Sequence, residues 1–362
     1  MIGSGLTSRE RMHRMLERKD HDRIPRSDGY WPETIVRWQG EGLAGDEETV
    51  YAMLGRDVEE ICWSWPVPYP GRREVLEEDA RTELVLGTMG KQERGWKNKS
   101  GTPEHVAFGC RARRDWEREY KPALLRSGLS VDTRESAEKL SRLRRGQMFA
   151  TLSGIEAFEA MRQLVGDEVL LMAMAEDPEW VQDMSRVYTD LILQDFESIL
   201  ATGADPDAVW VFGDVGFNHG PFFSPPMYRE ILWPDHKRLR DWAHAHRMKF
   251  IYHTDGDVRP LLDLFVEAGF DCIQPMEAKA GMDLRELAPR YGNHLSFFGN
   301  INMVIAARGD PEEIDAEVRS KLEAGMANHG YAYYSDHSVP PLVSWKSYRL
   351  ILTLLDRYGM YD

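Results

Sequence analysis

Cysteine is scarce in this chain. Cys62, Cys110 and Cys272 are the only three among 362 residues, and they lie far apart with no CxxC pair. An odd number cannot close into a disulfide framework, which points to a reducing compartment. Long apolar runs are also missing: no stretch approaches the roughly 20 residues that span a bilayer. The start, Met1-Ile2-Gly3-Ser4-Gly5-Leu6, has neither a basic nor an apolar leader region. A cytoplasmic protein is expected. Positive charge is in deficit, with 45 bases against 60 acids and a net charge of −15. That balance opposes attraction to phosphates, so neither nucleic acid nor a membrane surface is an expected partner. The chain has no GxGxxG after a strand and no GxxxxGK[ST], GxSxG or HExxH. Nucleotide cradles, hydrolase elbows and that zinc-protease helix are therefore excluded. No repeat of fixed period and no linker divides the chain, which argues against a solenoid and for one domain spanning 1–362.

What is present is a series of short apolar runs ending in polar residues. Val209–Phe212 leads into Gly213-Asp214, Phe250–Tyr252 into His253-Thr254-Asp255-Gly256, and Cys272–Met276 into Glu277. Leu295–Phe298 leads into Gly299-Asn300, and Tyr331–Tyr334 into Ser335-Asp336-His337. Amphipathic stretches separate them. Strands of 4–8 residues alternating with helices predict parallel βα units, and 362 residues suit a TIM (β/α)8 barrel. Further elements follow from local signals. Thr7-Ser8-Arg9-Glu10 starts a helix over Arg9–Glu17, and Ile24–Asp28 reads as a first strand. Residues 28–145 read as barrel strands with long insertions that shape the pocket, including a hairpin of Thr82–Met89 and Gln92–Trp96. Met148–Leu152 reads as a strand and Gly154–Leu164 as a helix. Asp177-Pro178-Glu179 opens a helix to about Thr202, with proline in the first turn. Pro225–Arg247 and Trp345–Tyr358 read as helices.

In such a barrel the residues just past each strand converge on one mouth. Asp214 there is either a turn carboxylate or, as favoured here, a catalytic one. His219 and Asn218 follow in the same loop and could donate to substrate. His253 and Asp255 flank one residue and so point to the same side of an extended chain. With Glu277 and His337 they make four imidazole and carboxylate candidates for a zinc or other divalent site, against the alternative of ordinary hydrogen-bonded pocket residues. Asn300 is a substrate contact or a turn residue.

As a set, these residues resemble a known superfamily. Thr7–Arg11 through Asp22-Arg23-Ile24-Pro25, Asp214 through Pro225 with Tyr228-Arg229-Glu230, His253-Thr254-Asp255-Gly256, and Ser335–Pro341 look like the uroporphyrinogen decarboxylase superfamily. The resemblance implies a TIM barrel and either a decarboxylase or a corrinoid-linked methyltransferase. The decarboxylase branch has an arginine-rich stretch after its first strand. Here that place reads Ser27-Asp28-Gly29-Tyr30-Trp31-Pro32-Glu33, which suits a polyanionic substrate badly. The thiol-methylating branch binds zinc through His-x-Cys and a later Cys. His253 matches the histidine, while Asp255 and His337 stand where the cysteines would be, so a harder, N/O-ligated metal is expected. The Gln274–Asp283 segment resembles methyltransferases acting on methoxylated aromatics. The resemblance thus implies an O-demethylase in which the metal, zinc or another divalent ion, polarises the ether oxygen.

The methyl acceptor would be a corrinoid on a separate partner protein, since nothing in this chain looks like a corrinoid domain. Trp31, Phe222, Phe223 and Tyr333 would stack on the methoxyaryl ring of a small-molecule donor. A homodimer is the default among symmetric assemblies. Two other readings stay open: a metal-independent decarboxylase or lyase of a small acid using Asp214, and a non-catalytic binding protein.

Overall fold

The computed structural model describes residues 5–99 and 101–361. Seven parallel strands follow one another in chain order: β1 (Val58–Ser64), β2 (Phe149–Ile155), β3 (Ala208–Phe212), β4 (Lys249–Thr254), β5 (Cys272–Pro275), β6 (Ser296–Phe298) and β7 (Tyr331–Ala332). Helices cross between them, as parallel pairing requires. The gap between β7 and β1 is spanned by the segment around Arg26. Tyr333 N–H donates to Pro25 O at 2.8 Å and Ser27 N–H to Tyr333 O at 3.0 Å, while Asp57 N–H donates to Arg26 O at 2.8 Å on the other side. The molecule is a TIM-type barrel whose eighth position is a bridge, where the sequence predicts a strand over Ile24–Asp28. Pro25 has no N–H to give, and the Arg26 N–H goes to the Asp57 carboxylate at 2.8 Å, so no ladder can grow there.

An aspartate directly precedes three alternate strands. Asp57 stands before β1, Asp207 before β3 and Asp271 before β5. Each accepts a backbone N–H at 2.8 Å from the preceding neighbour in the ring: Arg26, Ala150 and Phe250 respectively. Each also holds cations: Arg11 and Arg23 on Asp57, Arg9 and Arg144 on Asp207, and Lys249 on Asp271. A one-residue slip would break both sets of contacts, so these carboxylates fix register at the N-terminal rim.

The floor of the bore is closed by the first helix, Ser8–Leu16. Thr7 and Glu10 form a reciprocal capping box at its start. Met12, Met15 and Leu16 are buried among the inward residues Val58, Phe149, Ala208, Ile251, Cys272, Phe298 and Ala332. Residues 28–145 contribute one barrel strand, β1. The predicted hairpin is present as the middle of a four-stranded antiparallel sheet, Glu74–Glu78, Thr82–Leu86, Gln92–Trp96 and Glu104–Ala107. Buried Lys91 ties this insert to the barrel, meeting Glu93 at 2.8 Å and Gln163 on the helix Ala157–Val165.

The predicted helix over Pro225–Arg247 divides into Pro225–Ile231 and Trp233–Ala245. Pro234 cannot donate to the Glu230 carbonyl, and Gln182 Nε2 donates to that oxygen instead at 3.2 Å. Pro178–Leu200 is a single long helix, capped by Asp177 and burying Trp180, Met184, Tyr188 and Leu191 at three- and four-residue spacing. Among the described residues no helix is long and apolar enough to cross a membrane.

Candidate metal centre at the barrel mouth

The ends of β3 and β4 build the centre. Pairing sets Phe212 beside His253, and Gly213 N–H donates to His253 O at 3.0 Å, so the chain leaving β3 follows the top of β4. Glycine is required at 213 because an added Cβ would lie 1.8 Å from Glu156 Oε1. Thr254 Oγ1 accepts the Val215 N–H at 3.1 Å, and Asp214 Oδ1 accepts the Asp255 N–H at 2.9 Å. These bonds turn Asp214 toward His253, whose Nε2 lies 3.5 Å from Asp214 Oδ1.

Asp214, His253 and Asp255 each offer a ligand atom within 4.8 Å of the others. Beside them His337 Nε2 lies 3.3 Å from Asp255 Oδ2. Burial opposes charge on His253, but the two carboxylates outweigh it and hold its pKa up at about 9. Burial likewise opposes charge on Asp214, and His253 overrides it, drawing that pKa down to about 2. Asp255 raises the pKa of His337 against the effect of burial.

Two features fit this group to a divalent cation. Gln274 pairs with His253 across β4 and β5, and its Oε1 lies 2.5 Å from His253 Nδ1. An amide oxygen only accepts, so Nδ1 carries a proton, and Nε2, which faces the centre, is the nitrogen whose proton a bound cation would displace, as imidazole ligation requires. Asp255 Oδ1 is buried with no hydrogen-bond partner, which leaves a carboxylate oxygen in need of a cation. The donor set of one nitrogen and carboxylate oxygens suits zinc or another divalent ion of similar hardness.

The sequence-predicted residues are distributed unevenly. Asp214, expected as a catalytic carboxylate, lies within the ligand group. Glu277, expected as a ligand, is occupied elsewhere: its Oε2 accepts the Gly256 N–H at 2.7 Å and its Oε1 pairs with Lys279 at 2.8 Å. His219 is exposed on a small hairpin, edge-on to Phe217. Phe222 stacks on Phe217 and lies under Arg162, and Phe223 is core packing against Tyr228.

Asn300 is fully buried, and its amide serves the protein. It accepts from Leu284 N–H at 2.8 Å and from Lys321, and donates to the Met276 and Met282 carbonyls. Tyr333 is equally buried, and its hydroxyl donates to Asp28 at 2.9 Å. Gln274 was not foreseen, although a lone polar residue inside the apolar run Cys272-Ile273-Gln274-Pro275 signals an inward-facing partner.

Two cavities adjoin the centre. One, of about 590 Å³, is walled by Trp31, Met303, Ala307, Pro340 and Leu342 and reaches His337. The other, of about 460 Å³, occupies the bore and is walled by Trp63, Trp210, Phe212 and Tyr334. Phe212 packs on His253 with ring centres 4.6 Å apart. Both volumes are in the range of small-molecule sites.

A family model described as Uroporphyrinogen decarboxylase (URO-D) matches residues 105–358, from the last strand of the insert to the closing helix. The chain belongs to the uroporphyrinogen decarboxylase family. Within solved structures it is similar to a methyltransferase from Methanosarcina mazei, with a TM-score of 0.64 and 15% identity, covering 98% of this chain and 99% of that one. At that identity the likeness concerns the fold. No curated protein matches the sequence.

Proposed function

We propose that this member of the family is a methyltransferase that removes the methyl group of a methoxylated, aromatic small molecule and passes it to the cobalt of a corrinoid carried by a separate protein. The observation that carries the reading is the group of Asp214, His253 and Asp255, with the Nδ1 proton of His253 held by Gln274, beside an aromatic-walled cavity in the bore and a second, largely aliphatic cavity that reaches His337. The family membership and the methyltransferase neighbour support it.

Asp214, His253 and Asp255 would hold a zinc or similar divalent ion, with His337 next to Asp255. When bound, that ion supplies a Lewis acid for the ether oxygen. The chain's own contribution is positioning. Gln274 keeps the His253 proton on Nδ1, and Asp255 orients His337 at the edge of the larger cavity. Aromatic walls hold a methoxyaryl ring flat and keep water from it. Phe212 fixes the plane of the His253 ring.

The test is elemental analysis of purified protein, with methyl transfer from a methoxyarene to cob(I)alamin followed by absorbance. About one equivalent of metal is expected, with transfer lost on chelation and restored by zinc. His253→Ala is expected to lose both metal and transfer. Transfer that survives complete metal removal would refute the metal role. Release of CO₂ from a small acid without corrinoid would favour a decarboxylase instead.

A further inference from the structure

The cavity in the bore has a chemistry of its own. Its walls carry Asp28, Glu47, Glu48, Glu59 and Glu60 but only two bases, Arg56 and Lys139. Both bases are already engaged: Arg56 meets Glu59 at 2.7 Å and stacks over the Tyr51 ring, and Lys139 meets Glu59 at 3.1 Å. Asp28 is bound by three hydroxyls, from Tyr333, Tyr348 and Ser335. Glu47 accepts from Tyr51 at 2.9 Å, and Glu48 lies 3.7 Å from Arg56.

Glu60 differs from all of these. It projects from β1 into the cavity and makes no hydrogen bond or ion pair among the described residues, yet water reaches it. Trp63, Trp210, Phe212 and Tyr334 line the same space. The faces of aromatic rings carry negative electrostatic potential, and a carboxylate among them recognises an organic cation. Lys139 and Arg56 are the nearest cations, but both are paired with Glu59 rather than with Glu60.

We propose that the bore cavity binds an organic ammonium group through Glu60 and these aromatic walls, and that the methyl donor is therefore an amine-bearing methoxyarene. The assignment of the donor rests on the demethylation reading; the ammonium site does not. Burial raises the pKa of Glu60, with Lys139 and Arg56 pulling it the other way. The opposite choice, an acidic donor, would place a further anion beside a carboxylate that has no ion pair.

Titration calorimetry with three ligands of one shape tests this: para-methoxyphenethylamine, para-propylanisole and para-methoxyphenylpropionate. The amine is expected to bind about ten-fold or more tighter than the neutral ether, and the acid weakest. Glu60→Gln is expected to cut amine affinity about ten-fold and leave the neutral ether unchanged. Equal affinities, preference for the acid, or a Glu60→Gln change that weakens amine and ether alike would overturn the proposal. The comparison on the unaltered protein stands even if the variant misfolds. Tight, selective amine binding without methyl transfer to cob(I)alamin would keep the ammonium site and refute demethylation.

Discussion

Gln274 shows how one amide can decide what a centre binds. Its oxygen fixes which nitrogen of His253 faces Asp214 and Asp255. Gln274→Leu keeps the bulk and removes the acceptor, so metal affinity measured against a competing chelator is expected to fall by about 10–100-fold. The fold, read by circular dichroism, is expected to persist. Asp255→Asn is expected to weaken binding through a different route, because the buried Oδ1 that lacks a partner belongs to the anion. At this scale the sequence was informative about residue types and less so about their occupation. His253, Asp255 and His337 come together as their strand-end positions imply. Glu277 and Asn300 occupy equivalent positions, but neighbouring N–H groups and lysines claim their polar atoms. Apart from Lys279, two residues from Glu277, those claims come from Gly256, Leu284 and Lys321, which the local sequence does not reveal.

Among elements, the latches at the N-terminal rim and the plug in the floor carry predictions about stability. Asp207 has no side-chain exposure and holds Arg9, His13 and Arg144 as well as the Ala150 N–H. Asp207→Ala leaves half-buried Arg144 and the buried Ala150 N–H without their acceptor and is expected to cost about 1–3 kcal/mol, measured by urea unfolding. Met15→Ala opens a cavity under the bore and is expected to cost about 2–5 kcal/mol.

Strands β2 to β7 were legible in the sequence because each is a short apolar run between turn signals. The helix Pro178–Leu200 was legible from its cap and its period. The bridge at Arg26 was not, since its pairing is decided by Tyr333 and Asp57, which lie far along the chain. The four-stranded insert was half legible: its central hairpin has alternating residues, while Glu74–Glu78 is exposed throughout and carries no apolar period.

For the whole molecule, Asp28 ties three distant parts of the chain together. It lies at the end of the bridging segment and accepts hydroxyls from Tyr333 and Ser335 after β7 and from Tyr348 on the closing helix Trp345–Tyr358. Burial raises its pKa to about 6, and the hydroxyls only partly offset this. A carboxyl whose folded pKa is raised favours folding while it holds its proton. Its contribution is therefore lost as pH climbs from about 4, the unfolded value, to about 6. Unfolding free energies of the natural protein, from urea titration, are expected to fall over that window by an amount on the order of 3 kcal/mol relative to Asp28→Asn, which lacks this component. A parallel pH dependence in the two proteins would contradict it.

The plugged floor has a further consequence. With Met12, Met15 and Leu16 stopping one end, the barrel is a cup. On the proposed function, the small molecule and the cobalt-bearing partner must share its rim. The donor has to be aboard before the partner sits down, and a partner that arrives first bars the way. Initial rates at low donor should then decline as the partner is raised to excess, and recover when donor is added.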